Sequence, residues 1–280
     1  MTDLVDPTPH VTAAKRGILS LYEALERTTE NEYSDVSQPY TPQPPKFWPS
    51  TIPHIDTICG GFYGVSVVTG QPGTGKTLLS IASAIEAAAS GKWQVIILSA
   101  EDDKDGFRER FNRYLSVHPS ARDCIGNLHY HAIGKGQDAA SLTLTIHHCI
   151  DTSIDVPILI VIDSINSIVN LSHGSYLALL KDIGLWAMFS RRLSTGDVSF
   201  LITAETNKGG EVKGEALSFW SDVYLKLKWE SEFVVDMNLA KTRRTAGAGP
   251  MGNHLRNWST GLFEPEQQRP LYAVGGDQYE

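Results

Sequence analysis

The sequence predicts an α/β fold: a mostly parallel central sheet flanked by helices, with antiparallel strands added near the C-terminus. Three observations predict it. Strand and helix signals alternate between residues 65 and 204, the pattern of consecutive β-α-β units. The glycine-rich run Gly70-Gln71-Pro72-Gly73-Thr74-Gly75-Lys76-Thr77 follows an apolar strand, Val65–Thr69, and opens a small-residue helix from Leu78 to Ala89. Two more apolar runs, Gln94–Ala100 and Ile158–Asp163, end in acidic residues, and in open α/β sheets the strand ends share the edge where ligands bind.

Taken in order, residues 1–46 read as an N-terminal amphipathic helix and a proline-rich linker, 47–264 as the folded domain, and 265–280 as a C-terminal tail. The first ten residues are polar and read as disordered. From Val11 to about Thr28, Ile18, Leu21, Tyr22 and Leu25 recur at helical spacing. The stretch from Ser37 to Pro45 has the composition of an extended linker. The helix must bury its apolar face on its own domain or on a neighbouring subunit, and the sequence leaves both open.

The domain begins near Phe47-Trp48-Pro49. Its expected elements are strand 65–69, helix 76–90 closed by Gly91, strand 94–100, helix about 104–116, strand 127–133, helix 139–150, strand 158–163, helix 174–195 and strand 198–204. After residue 215 the pattern changes to strands 222–229, 233–241 and 253–263 with no helix between them. These read as antiparallel additions to the sheet edge, joined by the turn Ala246–Pro250.

With 280 residues and 41% hydrophobic content, the chain can bury the core of one large domain. A net charge of −8 argues against a broad basic face for duplex nucleic acid, but does not exclude a local basic loop. Cys59, Cys124 and Cys149 are far apart, which fits neither a zinc ribbon nor a disulfide framework and points to a reducing, cytoplasmic setting. No apolar run is long enough to span a bilayer, so a membrane role is not expected. His129 with His131, and the run His147-His148-Cys149, read as core or surface residues rather than metal ligands.

The glycine-rich loop carries the clearest chemistry. Between a strand and a helix, such a turn aims backbone N–H groups at an anion, and the helix N-terminus adds its positive dipole end. In this pattern Lys76 reaches the β- and γ-phosphates and the Thr77 hydroxyl ligates Mg²⁺. Gly70, Gln71, Pro72, Gly73, Thr74, Gly75 and Leu78 complete the nucleotide cradle. Asp163, at the tip of a buried strand, is placed to support the Mg²⁺, or else to cap the following segment. Glu101, at the tip of the strand adjoining the P-loop strand, is the candidate to orient and deprotonate water. Glu101-Asp102-Asp103 could equally be a solvated helix start, with Asp102 or Asp103 as N-cap.

With these residues in place, Ile52-Pro53-His54-Ile55-Asp56-Thr57-Ile58-Cys59-Gly60-Gly61-Phe62-Tyr63-Gly64 resembles the approach to the P-loop in RecA-like ATPases of the RadA, KaiC and replicative-helicase (DnaB-related) group. Ser99-Ala100-Glu101-Asp102 is similar to their second-strand tip, Asp163-Ser164-Ile165 to their Walker B ending, and the segment from Phe200 to Leu225 to their nucleotide-sensing strand, loop and aspartate-bearing strand. Ala240-Lys241-Thr242-Arg243-Arg244 resembles their K-x-R motif. The resemblance covers about residues 47–264 and implies a single RecA-like domain that hydrolyses ATP with Mg²⁺.

It also implies that Glu101 activates water and Asp163 supports the metal. Arg110 would stack on adenine, the alternative being an exposed helix arginine. Lys241 and Arg243 would reach the γ-phosphate of a neighbouring subunit, against the alternative of a solvated strand edge. A finger supplied in trans implies a homo-oligomer, a ring or filament and in this family a hexamer. The loop 207–215, with Lys208 and Lys213 among glycines, matches in position a single-stranded DNA contact, against the alternative of a plain surface loop. The output would be a recombination or replication motor, a KaiC-like signalling or assembly ATPase acting on a protein partner, or a slow ATP-binding scaffold. The chain departs from RadA in lacking its zinc and protease-like modules, from replicative helicases in having only 46 residues ahead of the domain, and from KaiC in having one ATPase domain; Glu205 also stands where relatives carry other residues.

Overall fold

In the computed structural model, residues 46–135, 139–151, 156–169, 173–192, 198–206, 216–243, 248–256 and 263–265 are described. The expected N-terminal helix and linker, the 207–215 loop and the tail beyond Pro265 lie outside the described residues. A small antiparallel pair, Phe47–Trp48 (β1) and Phe62–Tyr63 (β2), encloses the helix Pro53–Cys59 (α1). Then come Val65–Gly70 (β3), Lys76–Ala89 (α2), Gln94–Ser99 (β4), Lys104–Val117 (α3), a 3₁₀ segment Pro119–Gly126, Leu128–Ala132 (β5), Ala139–Asp151 (α4), Ile158–Asp163 (β6), Ile165–Ile168 (α5), His173–Arg192 (α6) and Val198–Glu205 (β7). Ala216–Trp220 (α7), Val223–Ser231 (β8), Val234–Thr242 (β9), Gly249–Arg256 (β10) and Phe263–Pro265 (β11) complete the described elements.

The main sheet runs β11-β10-β9-β8-β3-β7-β6-β4-β5, with β8 to β5 parallel and β9 to β11 antiparallel. Its central strands are apolar at nearly every position because helices cover both faces. Alternate side chains go to different cores. Val95, Ile97, Leu159 and Val161 join α2, Tyr114 and Leu115 on one face, while Ile96, Leu98, Ile158, Ile160 and Ile162 join α4 and α6 on the other. Among the described residues, no helix is long and apolar enough to cross a membrane.

The parallel core follows the sequence pattern closely, but three details differ. β4 does not adjoin the P-loop strand: β7 and β6 lie between it and β3, because β4 and β5 lead the sheet outward and the later strands fill back toward its centre. β8 is not an antiparallel addition. It pairs parallel with β3, Val67 opposite Tyr224, the short helix α7 preceding it. The expected strand 253–263 is two strands, and Gly249 and Pro250, placed in a turn by composition, lie in β10 with a register shift between Pro250 and Gly252.

The β3 strand is anchored at its start by the Asp222 carboxylate, which accepts from the Val65 N–H at 3.0 Å. Phe200 of β7 is fully buried and stacks against Trp186 of α6 at 6.2 Å. Phe200→Ala is expected to cost about 3–5 kcal/mol through the cavity it leaves. The measurement is a lower urea midpoint at unchanged slope; a loss below 1 kcal/mol, roughly, would show that this core is not tightly packed.

Candidate active site

The loop 71–75 joins β3 to α2 at the C-terminal end of the sheet, so the N-terminus of a 14-residue helix faces the loop's concavity. Crowding fixes two glycines, one at the end of β3 and one in the loop. A Cβ on Gly70 would stand 2.7 Å from both the Leu227 carbonyl oxygen and Thr74 Oγ1. One on Gly75, which has φ +99, would stand 2.8 Å from the Phe263 ring. Thr74 Oγ1 donates to the Gln71 carbonyl at 2.9 Å and closes the turn from inside. From outside, Trp229 Nε1 donates to the Pro72 carbonyl at 3.3 Å and Arg256 donates to the Gly73 carbonyl.

This loop borders a cavity of about 330 Å³. Pro72, Gly73, Gly75, Lys76, Thr77 and Leu78 line one side; Glu101, Arg110, Asp163, Ser164, Glu205 and Arg256 line the rest. Gly70, Gln71 and Thr74 shape the loop without lining the cavity: the first two supply carbonyls to Lys76, whose Nζ donates at 2.9 and 3.0 Å. Lys76 is 6% exposed. Burial lowers its pKa, opposed by the nearby charges of Glu205, Asp163 and Glu101. An anion entering the cavity would offer the ammonium a better partner than the two carbonyls.

Asp163, at the tip of β6, is buried, and its Oδ1 accepts from Thr203 at 2.5 Å and Thr77 at 3.2 Å. Burial pushes its carboxyl up to about 6, with the two hydroxyls pulling the other way and Glu101 adding to the rise. A buried carboxylate sharing a hydroxyl with the phosphate loop is a hard-oxygen donor set, which suits Mg²⁺. Thr77 and Asp163 are the residues that would hold that ion.

Glu101 reaches this site although its strand does not adjoin β3. Its Oε1 accepts from Ser164 Oγ at 2.9 Å and Ser167 Oγ at 2.8 Å, so the turn after β6 draws it inward. The N-cap of α3 is Asp103, which accepts from the Gly106 N–H at 2.8 Å, and Asp102 pairs with Arg110 at 2.7 Å. Each member of the acidic run therefore has a separate task, and capping does not occupy Glu101. Arg110 lines the cavity mouth, oriented by that ion pair. The Glu205 N–H donates to Asn166 Oδ1 at 2.9 Å.

Lys241 and Arg243 are brought together, but not to this cavity. Lys241 Nζ donates to the carbonyls of Ser218 and Phe219, the latter at 3.1 Å, and Arg243 Nη2 to that of Phe219 at 2.6 Å. The direction of β9 explains their distance from the loop. Thr242 pairs with Val223, which lies beside Ser66 at the start of β3, whereas the phosphate loop leaves the other end of β3.

Sequence reasoning missed Trp229, Arg256 and Phe263, which pack on the loop from β8, β10 and β11, and Ser164, Ser167 and Thr203, which position the carboxylates. Ser164 and Ser167, spaced by one helical turn after an acidic strand tip, carried a detectable signal; the other contacts depend on strand order.

A sequence profile of a protein family described as an AAA domain matches residues 39–210. No curated protein matches the chain by sequence. Among solved structures, a DnaB-like replicative helicase, studied with its interactions with primase, is similar with a TM-score of 0.57 and 14% identity over 92% of this chain and 75% of that one. A second structure, of an isolated ATPase domain, has a TM-score of 0.58 and 15% identity over 88% of this chain and 98% of that one. A KaiC-like protein from the hyperthermophilic archaeon Pyrococcus horikoshii has a TM-score of 0.59 and 19% identity over 79% of this chain and 100% of that one. At these identities the likeness is one of fold, RecA-like with antiparallel strands at the C-terminal side.

Gly75→Ala puts a side chain at a left-handed φ and against Phe263. It is expected to destabilise the protein by about 1–3 kcal/mol in denaturant unfolding. Stability equal to that of the unaltered chain would mean the loop is not held as described.

Proposed function

Because the chain belongs to the AAA-domain family of ATP-hydrolysing P-loop NTPases, we propose that it hydrolyses ATP with Mg²⁺ at the interface between two copies of itself. The observation that supports this best is the convergence of Lys76, Thr77, Asp163 and Glu101 on one cavity from three separate stretches of chain. Residues 47–264 are the ATPase domain in this reading, with 1–46 and 265–280 as appendages.

On binding, Lys76 exchanges the carbonyls of Gly70 and Gln71 for β- and γ-phosphate oxygens. Thr77 and Asp163 are the residues that would hold Mg²⁺, which would supply charge neutralisation at the phosphates. Glu101, steadied by Ser164 and Ser167, orients a water and takes its proton. Arg110, fixed by Asp102, lies against the adenine. Glu205 is the cavity's third acid, at the position where the resembled family senses the nucleotide.

Lys241 and Arg243 act on the neighbour's γ-phosphate, because the strand direction keeps them from their own. They sit beside Phe219, which is 67% exposed and offers an apolar contact to the adjoining copy. A closed ring, with six members as in the resembled family, satisfies every site. We assign the cycle to movement on single-stranded DNA through the 207–215 loop, on the strength of Lys208, Lys213 and the glycines around them. The full-length coverage of the KaiC-like structure favours a second reading, in which the nucleotide-dependent shape is read by a protein partner. A cytoplasmic setting belongs to the same proposal, supported by three buried cysteines with no disulfide between them.

Glu101→Gln is expected to lower turnover by about 10²–10⁴-fold while ATP affinity stays within a few-fold. Steady-state phosphate release and equilibrium binding measure the two. Turnover at the unaltered rate would remove Glu101 from the reaction. Single-stranded DNA is expected to stimulate turnover, and Lys208→Ala with Lys213→Ala to abolish the stimulation; no stimulation of the unaltered protein overturns the DNA assignment.

A further inference from the structure

Arg256 belongs to none of the motifs that define the site, yet it lines the same cavity from β10 and is only 8% exposed. Its guanidinium donates to the Gly73 carbonyl and lies 5.9 Å over the Trp229 ring, whose indole N–H holds the preceding carbonyl, that of Pro72. Holding a carbonyl needs a donor but no charge, and an amide side chain would serve. The positive charge is costly here. Burial lowers Arg256 to about 10, with the facing Arg110 guanidinium as a second cause, and Arg256 in turn works against the charge on Lys76. At pH 7 Arg256 is still protonated, so it joins Lys76 and Arg110 on a cavity of about 330 Å³ with the surrounding acids already engaged. Asp102 pairs with Arg110, Glu101 accepts from Ser164 and Ser167, Asp163 accepts from Thr77 and Thr203, and Glu205 acts on Lys76. That arrangement is relieved by a ligand with several negative charges close together.

We infer that Arg256 is a nucleotide-binding residue supplied by the same chain as the phosphate loop, contacting the polyphosphate of a nucleoside triphosphate as a third cation beside Lys76. This rests on the nucleotide reading of the cavity. It goes further in giving β10 a direct part in binding and in making the Gly73 carbonyl a resting partner that the guanidinium leaves when phosphate enters. The antiparallel strands then report the occupancy of a site built mainly by the parallel ones.

The test is equilibrium ATP binding by the full chain at low and high salt, with Arg256→Gln, which keeps a donor for Gly73 but removes the charge, and Arg256→Lys, which keeps the charge. Arg256→Gln is expected to weaken ATP binding by about tenfold at low salt, with the gap to the unaltered chain closing as salt rises, and Arg256→Lys to recover most of the loss. A loss that does not shrink with salt, a loss that Arg256→Lys does not recover, or no loss at all overturns the inference, since each leaves Arg256 as a tether for the loop. Failure of the unaltered chain to bind ATP under conditions where it is folded overturns the nucleotide reading itself, and this inference with it. Equal melting temperatures of the three proteins show that the comparison concerns folded molecules.

Discussion

A phosphate loop presents backbone N–H groups to an anion, and until the anion arrives its carbonyls need partners of their own. In this protein the holding is done from two sides. Lys76 takes the carbonyls of Gly70 and Gln71 from within the cavity, while Trp229 of β8 takes that of Pro72 and Arg256 of β10 that of Gly73. The central place of β3, between β7 and β8, makes both possible. β7 delivers Thr203 to the Asp163 carboxylate on one side, and β8 delivers Trp229 to the loop on the other.

The parallel part of the fold was legible because its physics is local. Apolar strands, a small-residue helix behind a glycine-rich loop, and acids at strand tips each follow from residues close in sequence. The antiparallel part was less so. Whether β8 pairs with β3 in parallel or lies outside as an edge depends on the short helix α7, whose five residues are too few for a periodicity signal. The Gly249-Pro250 pair has turn chemistry, but Pro250 can start an edge-side strand where its missing N–H costs no ladder bond.

The site shows the same division. Lys76, Thr77 and Asp163 can be read from the loop and the strand end, and the structure sets all three on one cavity, with Thr77 donating to Asp163 at 3.2 Å. In sequence Glu101 reads as the tip of a strand next to β3, but β7 and β6 lie between, and the serines after β6 bridge the gap. Arg256 carried no signal, since its relation to Gly73 spans 183 residues and depends on strand order. For Lys241 and Arg243 the K-x-R spacing could be read in the sequence, and only the topology puts them at the opposite end of β3 from their own loop.

That last fact carries the central claim, that one reaction centre is made by two copies of the chain. Co-expression of Glu101→Gln and Arg243→Ala chains, each inactive alone, tests it most directly. An interface between the loop of an Arg243→Ala chain and the finger of a Glu101→Gln chain has every group intact, so the mixture should recover turnover, about a quarter of the unaltered rate if copies assort at random. A mixed assembly with no more turnover than either variant alone would contradict the account.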